Sequence, residues 1–239
     1  MSKAVTFDLW NTLLSDRDYA EWRIGCLSSV LRENNLFRSL DETMEAYKQT
    51  NNYANEVPQR ENYRNISADE RVSYMLRRLQ VELPADMKLK ITKEFEEVIL
   101  LDPPLLAEGA KETLEALHGK YRIGLVSNSG FSPGRVLREV LRRADVLRLF
   151  SSAVFSDEVG YMKPNTIIFQ TALRELQVNQ SEAVHIGDLL DTDVAGAKGA
   201  GMKAIWLNLK EEPLPEIYKP DQVVRTLPQL MEVIDKIAA

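Results

Sequence analysis

Three carboxylates, a hydroxyl and an ammonium group stand where this sequence places strand ends or the loops after them. Asp8 closes the apolar run of "VTFDLWNTLL", Ser127 closes that of "RIGLVSNSG", Lys163 lies in "VGYMKP", and Asp188 and Asp193 lie in "HIGDLLDTD". An ionised carboxylate is a nucleophile that needs no base for its own activation, and it is a ligand for hard cations. A hydroxyl is a neutral donor to an anionic oxygen, and a lysine is a compact cation that balances carboxylate or phosphate. Taken singly, each residue has a plainer reading. A strand-end Asp caps or hydrogen-bonds locally, a Ser is a turn hydroxyl, and a Lys is solvated.

The elements that must position these groups alternate. After the first apolar run, residues 4 to 9, the turn-prone Asn11 and Thr12 open a loop. From Pro104 onward strand and helix follow one another. Leu114 and Leu117 face inward on a helix, and "RIGLVSNSG" is a strand running into a polar turn. Ser132 and Pro133 stand at cap and first-turn positions of the next helix. "AVFSDEVGYMKP" is a short strand and a loop, and Pro164 opens a helix carrying Ile167, Ile168, Ala172, Leu173 and Leu176. "AVHIGD" is a strand entering an acidic loop, "VAGAKGAGM" a small-residue helix ended by Gly201, and "KAIWLNL" a further strand. Repeated strand–helix units predict an α/β, Rossmann-like, mostly parallel sheet of about five strands, covered by helices on both faces. Asp8, Ser127 and Asp188 then share the C-terminal edge of that sheet, where open parallel sheets bind ligands.

Between about 18 and 100 the pattern is helical, with no strand signal. Tyr19, Trp22, Cys26, Leu27, Val30 and Leu31 recur at helical spacing, which places Trp22 and Cys26 in a helical core. "SLDE" (Ser39 to Glu42) and "SADE" (Ser67 to Glu70) read as capping boxes. Val72, Met75, Leu76 and Leu79 make one apolar face, and Leu89, Phe95, Val98 and Ile99 another, before Pro103 and Pro104 end the run. The expected division is therefore a core domain of residues 1–14 and 104–239 interrupted by a small all-helical domain, 15–103. In the polar stretch "YANEVPQRENYRN", Arg60 and Arg64 are candidate substrate contacts, with a solvated surface as the simpler alternative. His185 and His118 have no motif partner and read as structural.

A formal net charge of -6 argues against nucleic acid and anionic membranes as partners, since both call for basic patches. With 44% hydrophobic and 28% charged residues, the composition is that of a soluble globular protein, a monomer or homodimer. Cys26, the single cysteine, excludes an intramolecular disulfide and fits a reducing compartment. The N-terminus lacks the apolar core of a signal peptide and no apolar run is of spanning length, so a cytoplasmic location is expected.

In their order, "FDLWNT", "VSNS", "YMKP" and "GDLLDTD" resemble the motifs of the haloacid dehalogenase superfamily, with the helical insert where that superfamily carries its cap. The resemblance covers nearly the whole chain. It implies that Asp8 is a nucleophile forming an aspartyl intermediate. Thr12, Ser127 and the backbone N–H of Asn128 would bind oxygens of a phosphoryl group, and Lys163 would balance its charge. It further implies a magnesium ion (Mg2+) held by Asp8, Asp188 and the main-chain carbonyl of Trp10, with Asp193 supporting the metal shell or the Lys. Asp191 reads as the cap of the next helix. Dehalogenases of the superfamily need no metal and typically carry Ser and Asn where this chain has Gly187 and Asp188.

Trp10 departs from the pattern. Most phosphatases of the superfamily have a second Asp there, which protonates the leaving oxygen and later activates water. An indole N–H is a donor only and cannot transfer that proton, a role worth ~10²–10⁴-fold. The expectation is a magnesium-dependent phosphatase acting on a small phosphorylated metabolite. The alternatives are a metal-independent 2-haloacid dehalogenase, whose relatives also lack the second Asp, and a phospho-ligand-binding or regulatory protein. Asp16 and Asp18, in the nearby loop, are possible substitutes for the missing acid.

Overall fold

The computed structural model describes residues 4–238. They form two compact units, one made of residues up to Asp16, Pro104–Asn128 and the chain from Leu141 onward, the other of Arg17–Pro103 with Ser129–Val140.

The first unit is built on six strands: β1 (Ala4–Phe7), β2 (Arg122–Ser127), β3 (Ser152–Phe155), β4 (Ala183–Gly187), β5 (Lys203–Leu207) and β6 (Gln222–Val224). They pair in the order β3-β2-β1-β4-β5-β6, every pair parallel. β1 and β4 are buried along their whole length, and so is β2 after Arg122. Strands apolar on both faces need cover on both, which is why they read as continuous runs without alternation. The sequence misses β6, a three-residue edge strand whose first two residues are exposed.

The strand order reverses between β1 and β4. From β1 the chain winds outward through β2 and β3, and from β4 it winds the other way, which opens a crevice at the carboxyl ends of the two central strands. Register sets its floor: Phe7 pairs with Ile186, and the Asp8 N–H donates to the Ile186 carbonyl at 2.8 Å. Asp8 and Asp188 therefore leave adjacent strands at nearly the same level.

The second unit carries α1 (Ala20–Glu33), α2 (Leu40–Arg60), α3 (Ala68–Arg78) and α4 (Ala85–Glu97). Its core gathers Leu27, Leu31, Met75, Ile91, Phe95 and Phe131. The Ser39–Glu42 capping box is complete, because Ser39 accepts from the Glu42 N–H and Glu42 returns to the Ser39 N–H. The second box is half made: Ser67 accepts from the Glu70 N–H, while the Glu70 carboxylate goes to Arg64 and Tyr53. Trp22 and Leu89 are corrections to the expected core, since their side chains are 53% and 68% exposed. Both lie at the edge of an apolar stripe, where helical spacing alone cannot tell flank from centre. Cys26 packs, partly buried, against the core as expected.

The remaining helices are α5 (Ala110–Leu117), α6 (Gly134–Arg143), α7 (Ser156–Val159), α8 (Thr166–Leu176), α9 (Ala195–Gly199) and α10 (Leu230–Ala238). Two expected starts shift. Ser132 donates to the Glu96 carbonyl and α6 opens at Gly134, and the helix expected from Pro164 opens at Thr166 under an Asn165 cap, after a cis Lys163–Pro164 bond. Among the described residues, no helix is long and apolar enough to cross a membrane.

Candidate active site

Asp8, Trp10, Thr12, Ser127, Asn128, Lys163, Asp188 and Asp193 lie in the α/β unit, and Arg60 and Arg64 in the helical one. Lys163 is buried, and its ammonium bonds the Asp8 carboxylate and Asp193 Oδ1, the latter at 2.7 Å. Asn128 fixes the main chain that delivers it: its Oδ1 accepts from the Lys163 N–H at 2.8 Å and its Nδ2 donates to the Lys163 carbonyl at 3.4 Å. Ser127 is buried at the end of β2 and donates to the Asn128 carbonyl at 3.3 Å.

Asp193 is saturated. Beyond Lys163, its Oδ1 faces His185 Nε2 at 3.3 Å, and its Oδ2 accepts from the Leu189 N–H at 3.0 Å. A π-helical turn, Leu190–Val194, turns this residue back toward the strand it follows. Gly187 makes room: a Cβ there would lie 2.3 Å from the Asp193 carboxyl carbon. Asp191 is exposed in the same turn and does not cap α9, whose cap position is Val194.

His185, which the sequence leaves without a motif partner, has one in Asp193. Its Nδ1 lies 2.9 Å from the Thr6 hydroxyl, its register partner on β1. Burial lowers its pKa, against the pull of Asp193, so the ring is neutral. An ionised Asp193 can only accept, which makes Nε2 the donor and Nδ1 the acceptor from Thr6. His185 and Gly187, two apart on β4, share a face of the strand, the face against which Asp193 packs, and that spacing was the available signal.

Charge in the cluster is unbalanced. Asp8, Asp188 and Asp193 offer carboxylate oxygens within 4.8 Å of one another, against the single ammonium of Lys163. Burial pushes Asp8 up to about 6, Lys163 opposing and Asp193 adding to the rise. Burial, then the charges of Asp8 and Asp193, push Asp188 up to about 7. Asp193 goes the other way: despite burial, Lys163 and the His185 hydrogen bond hold it well below the usual carboxylate range. Lys163 is likewise raised against the effect of burial by Asp193 and Asp8.

A hard divalent cation fits this donor set. Asp8 and Asp188 are oxygen ligands with excess negative charge between them, and among the described residues no hydrogen bond falls on the Trp10 carbonyl. Asp193, with its oxygens already bonded, is the less available ligand. The Asp188 main chain is itself held, since the Trp206 indole N–H donates to its carbonyl at 2.9 Å.

Thr12 is fully buried and, among the described residues, its hydroxyl has no partner. It borders a cleft of about 430 Å³ with Ala107, Glu108, Leu207, Leu227 and Pro228, whose lining does not include Asp8, Lys163 or Asp188. In the helical unit, Arg60 pairs with Glu56 at 3.5 Å, and Arg64 bonds Glu61 at 2.6 Å and Glu70 at 2.7 Å.

Strand order 3-2-1-4-5-6 with an acid–lysine cluster at its switch point defines a doubly wound α/β protein with its polar groups gathered where such sheets bind ligands. A sequence model of the haloacid dehalogenase-like hydrolases matches residues 2–201, and the chain belongs to that family. Among its relatives, a pyrimidine 5'-nucleotidase of Escherichia coli (strain K12) is 34% identical over 54% of this chain and 56% of its own. The chain thus spans about half the length of the first curated relatives it matches. A glyceraldehyde 3-phosphate phosphatase of Methanopyrus kandleri is 29% identical over 100% of this chain and 99% of its own. The crystal structure of a 2-haloacid dehalogenase from Pseudomonas syringae pv. Tomato DC3000 superposes with a TM-score of 0.76, at 27% identity over 99% of both chains.

Proposed function

We propose that the protein is a magnesium-dependent phosphatase that acts on a small phosphorylated metabolite through an aspartyl phosphate. The observation carrying this reading is the negative charge left over among Asp8, Asp188 and Asp193, which one lysine does not balance. Phosphatase-named relatives support it.

Asp8 attacks phosphorus. Lys163 orients the carboxylate and offsets charge on the incoming phosphate, while Asp193, held by His185 and the Leu189 N–H, keeps Lys163 in place. Ser127, Thr12 and the Asn128 backbone N–H are assigned to phosphoryl oxygens. Asp8, Asp188 and the Trp10 carbonyl would hold Mg2+, which when bound neutralises a phosphate that would otherwise be repelled by Asp8. Arg60 and Arg64 are committed to Glu56, Glu61 and Glu70, and we assign substrate contact to neither. We place the protein in the cytoplasm, as a monomer or homodimer.

Phosphate release from 4-nitrophenyl phosphate, triose phosphates and pyrimidine 5'-nucleotides tests the reading. Release that stops with chelator and in Asp8→Asn is expected; release indifferent to both would overturn it.

Trp10 and the similarity to a 2-haloacid dehalogenase favour a second reading, metal-independent dehalogenation. Gly187 opposes it. The Ser that the family resemblance expects of a dehalogenase at that place brings a Cβ into the Asp193 carboxyl group. Halide released from a 2-haloacid without metal, and lost in Asp8→Asn, would put this reading first.

A further inference from the structure

The phosphatase reading leaves the proton transfers without a residue, because Trp10 occupies the place of the usual acid. Resting on that reading, we propose that Asp16 performs them, protonating the leaving oxygen and later activating the water that opens the aspartyl phosphate. Asp16 lines a cleft of about 270 Å³ together with Asn11, Asp188, Trp206, Asn208 and Glu212. The cleft thus joins one proposed metal ligand, Asp188, to two carboxylates with no metal to hold, Asp16 and Glu212.

Position favours Asp16 over Glu212, the other free acid in that wall. The loop leading from Asp8 to Asp16 is closed on itself: Leu13 and Leu14 N–H donate to the Leu9 carbonyl, and Asn11 N–H to that of Leu14. Ser15 then pins its end, donating to the Leu105 carbonyl through its N–H at 3.0 Å and its hydroxyl at 3.2 Å. Asp16 is the next residue, short in side chain and costing little entropy to hold. Among the described residues its carboxylate makes no hydrogen bond or ion pair. Glu212 is held too, its N–H donating to Asn208 Oδ1 at 2.9 Å and its carbonyl accepting from Asn208 Nδ2 at 2.8 Å, but its side chain is one methylene longer and has more rotamer freedom to lose.

In the first step the ester P–O bond breaks as a P–O bond to Asp8 forms, and the leaving oxygen takes the proton of Asp16, departing as an alcohol. In the second step water gives a proton to the Asp16 carboxylate as its oxygen bonds phosphorus. The bond to Asp8 breaks, inorganic phosphate leaves, and both acids return to their starting state.

The test compares 4-nitrophenyl phosphate, whose leaving group needs no proton, with glycerol phosphate, whose leaving group does. Asp16→Asn should lower turnover of glycerol phosphate ~10²–10⁴-fold. With the nitrophenyl ester it should give a burst of one nitrophenolate per protein and then a slow rate, with phosphorylated Asp8 trapped by acid quench and seen by mass. Asp16→Glu should restore part of the turnover, and Glu212→Gln should show no burst. The proposal is overturned if Asp16→Asn keeps the substrate ratio of the unaltered protein without a burst, or if Glu212→Gln shows the burst instead. Release that is absent in the unaltered protein, or undiminished in Asp8→Asn, sinks the phosphatase reading itself and this assignment with it.

Discussion

Gly187 is small because Asp193 stands behind it. Three donors fix that carboxylate, so it cannot yield to the Cβ that Gly187→Ala would place 2.3 Å from its Cγ. Overpacking of this kind costs ~1–3 kcal/mol, and the displaced carboxylate takes Lys163 with it. Gly187→Ala should therefore lower the melting temperature and reduce kcat about 10²-fold, the scale on which an ångström of misplacement acts. Thermal melts and steady-state kinetics on one preparation check both; a variant with native kcat would mean that Asp193 has slack. Cys26 gives a residue-scale prediction of another kind. Burial and the adjacent Glu94 push its thiol up to about 12. The thiolate is the reactive form, so native protein at pH 8 should label slowly with iodoacetamide. Glu94→Gln should speed labelling and denaturant should speed it more, followed by intact mass.

At the scale of elements, the segment after β2 matters for where its one aromatic goes. Phe131 stacks on Tyr47 with ring centroids 5.8 Å apart and meets Phe95 edge-on at 5.6 Å. The guanidinium carbons of Arg23 and Arg71 stand over its ring at 4.7 and 5.2 Å. Both cations are buried, and the π face adds to the hydrogen bonds that Arg23 makes to the Phe95 carbonyl at 3.2 Å and Arg71 to the Ile66 carbonyl at 3.1 Å. Phe131→Ala should cost ~3–5 kcal/mol, and Phe131→Leu, which keeps bulk but not the π face, should recover part of it in denaturant melts. The sequence placed residues 129–140 with the α/β domain, because nothing local marks a segment whose partners, from Arg23 to Glu96, all lie far upstream in the helical insert. What it read well were elements with a strong period or unbroken apolarity. β1, β2 and β4 were visible as runs ending in Asp8, Ser127 and Gly187–Asp188. β6 was not, being three residues long and half exposed, and Trp22 was misplaced because a stripe's edge looks like its centre. The site's acids and lysine were legible from their order, whereas the Thr6–His185–Asp193 chain depends on strand register, which no single segment carries.

At the scale of the whole molecule, the acid cluster couples stability to pH and to cation. In chelator-treated protein Asp8 and Asp188 hold their protons to about 6 and about 7, well above the ordinary 3.8 of an unfolded Asp. Between those limits the folded state binds more protons than the unfolded one, so stability falls as pH rises from about 4 through 7. Mg2+ should reverse the trend. It competes with protons for the same oxygens, so its stabilisation grows over the same interval, reaching about 2.7 kcal/mol at a hundredfold excess over Kd. Melting curves at pH 5.5 and 8, with chelator and with Mg2+, should show a cation-induced rise that is small at the lower pH and large at the higher. Asp188→Asn removes one titrating ligand, and it should flatten the pH dependence while abolishing most of the cation response. A rise of equal size at both pH values, or one that survives Asp188→Asn, would place the cation elsewhere on the molecule.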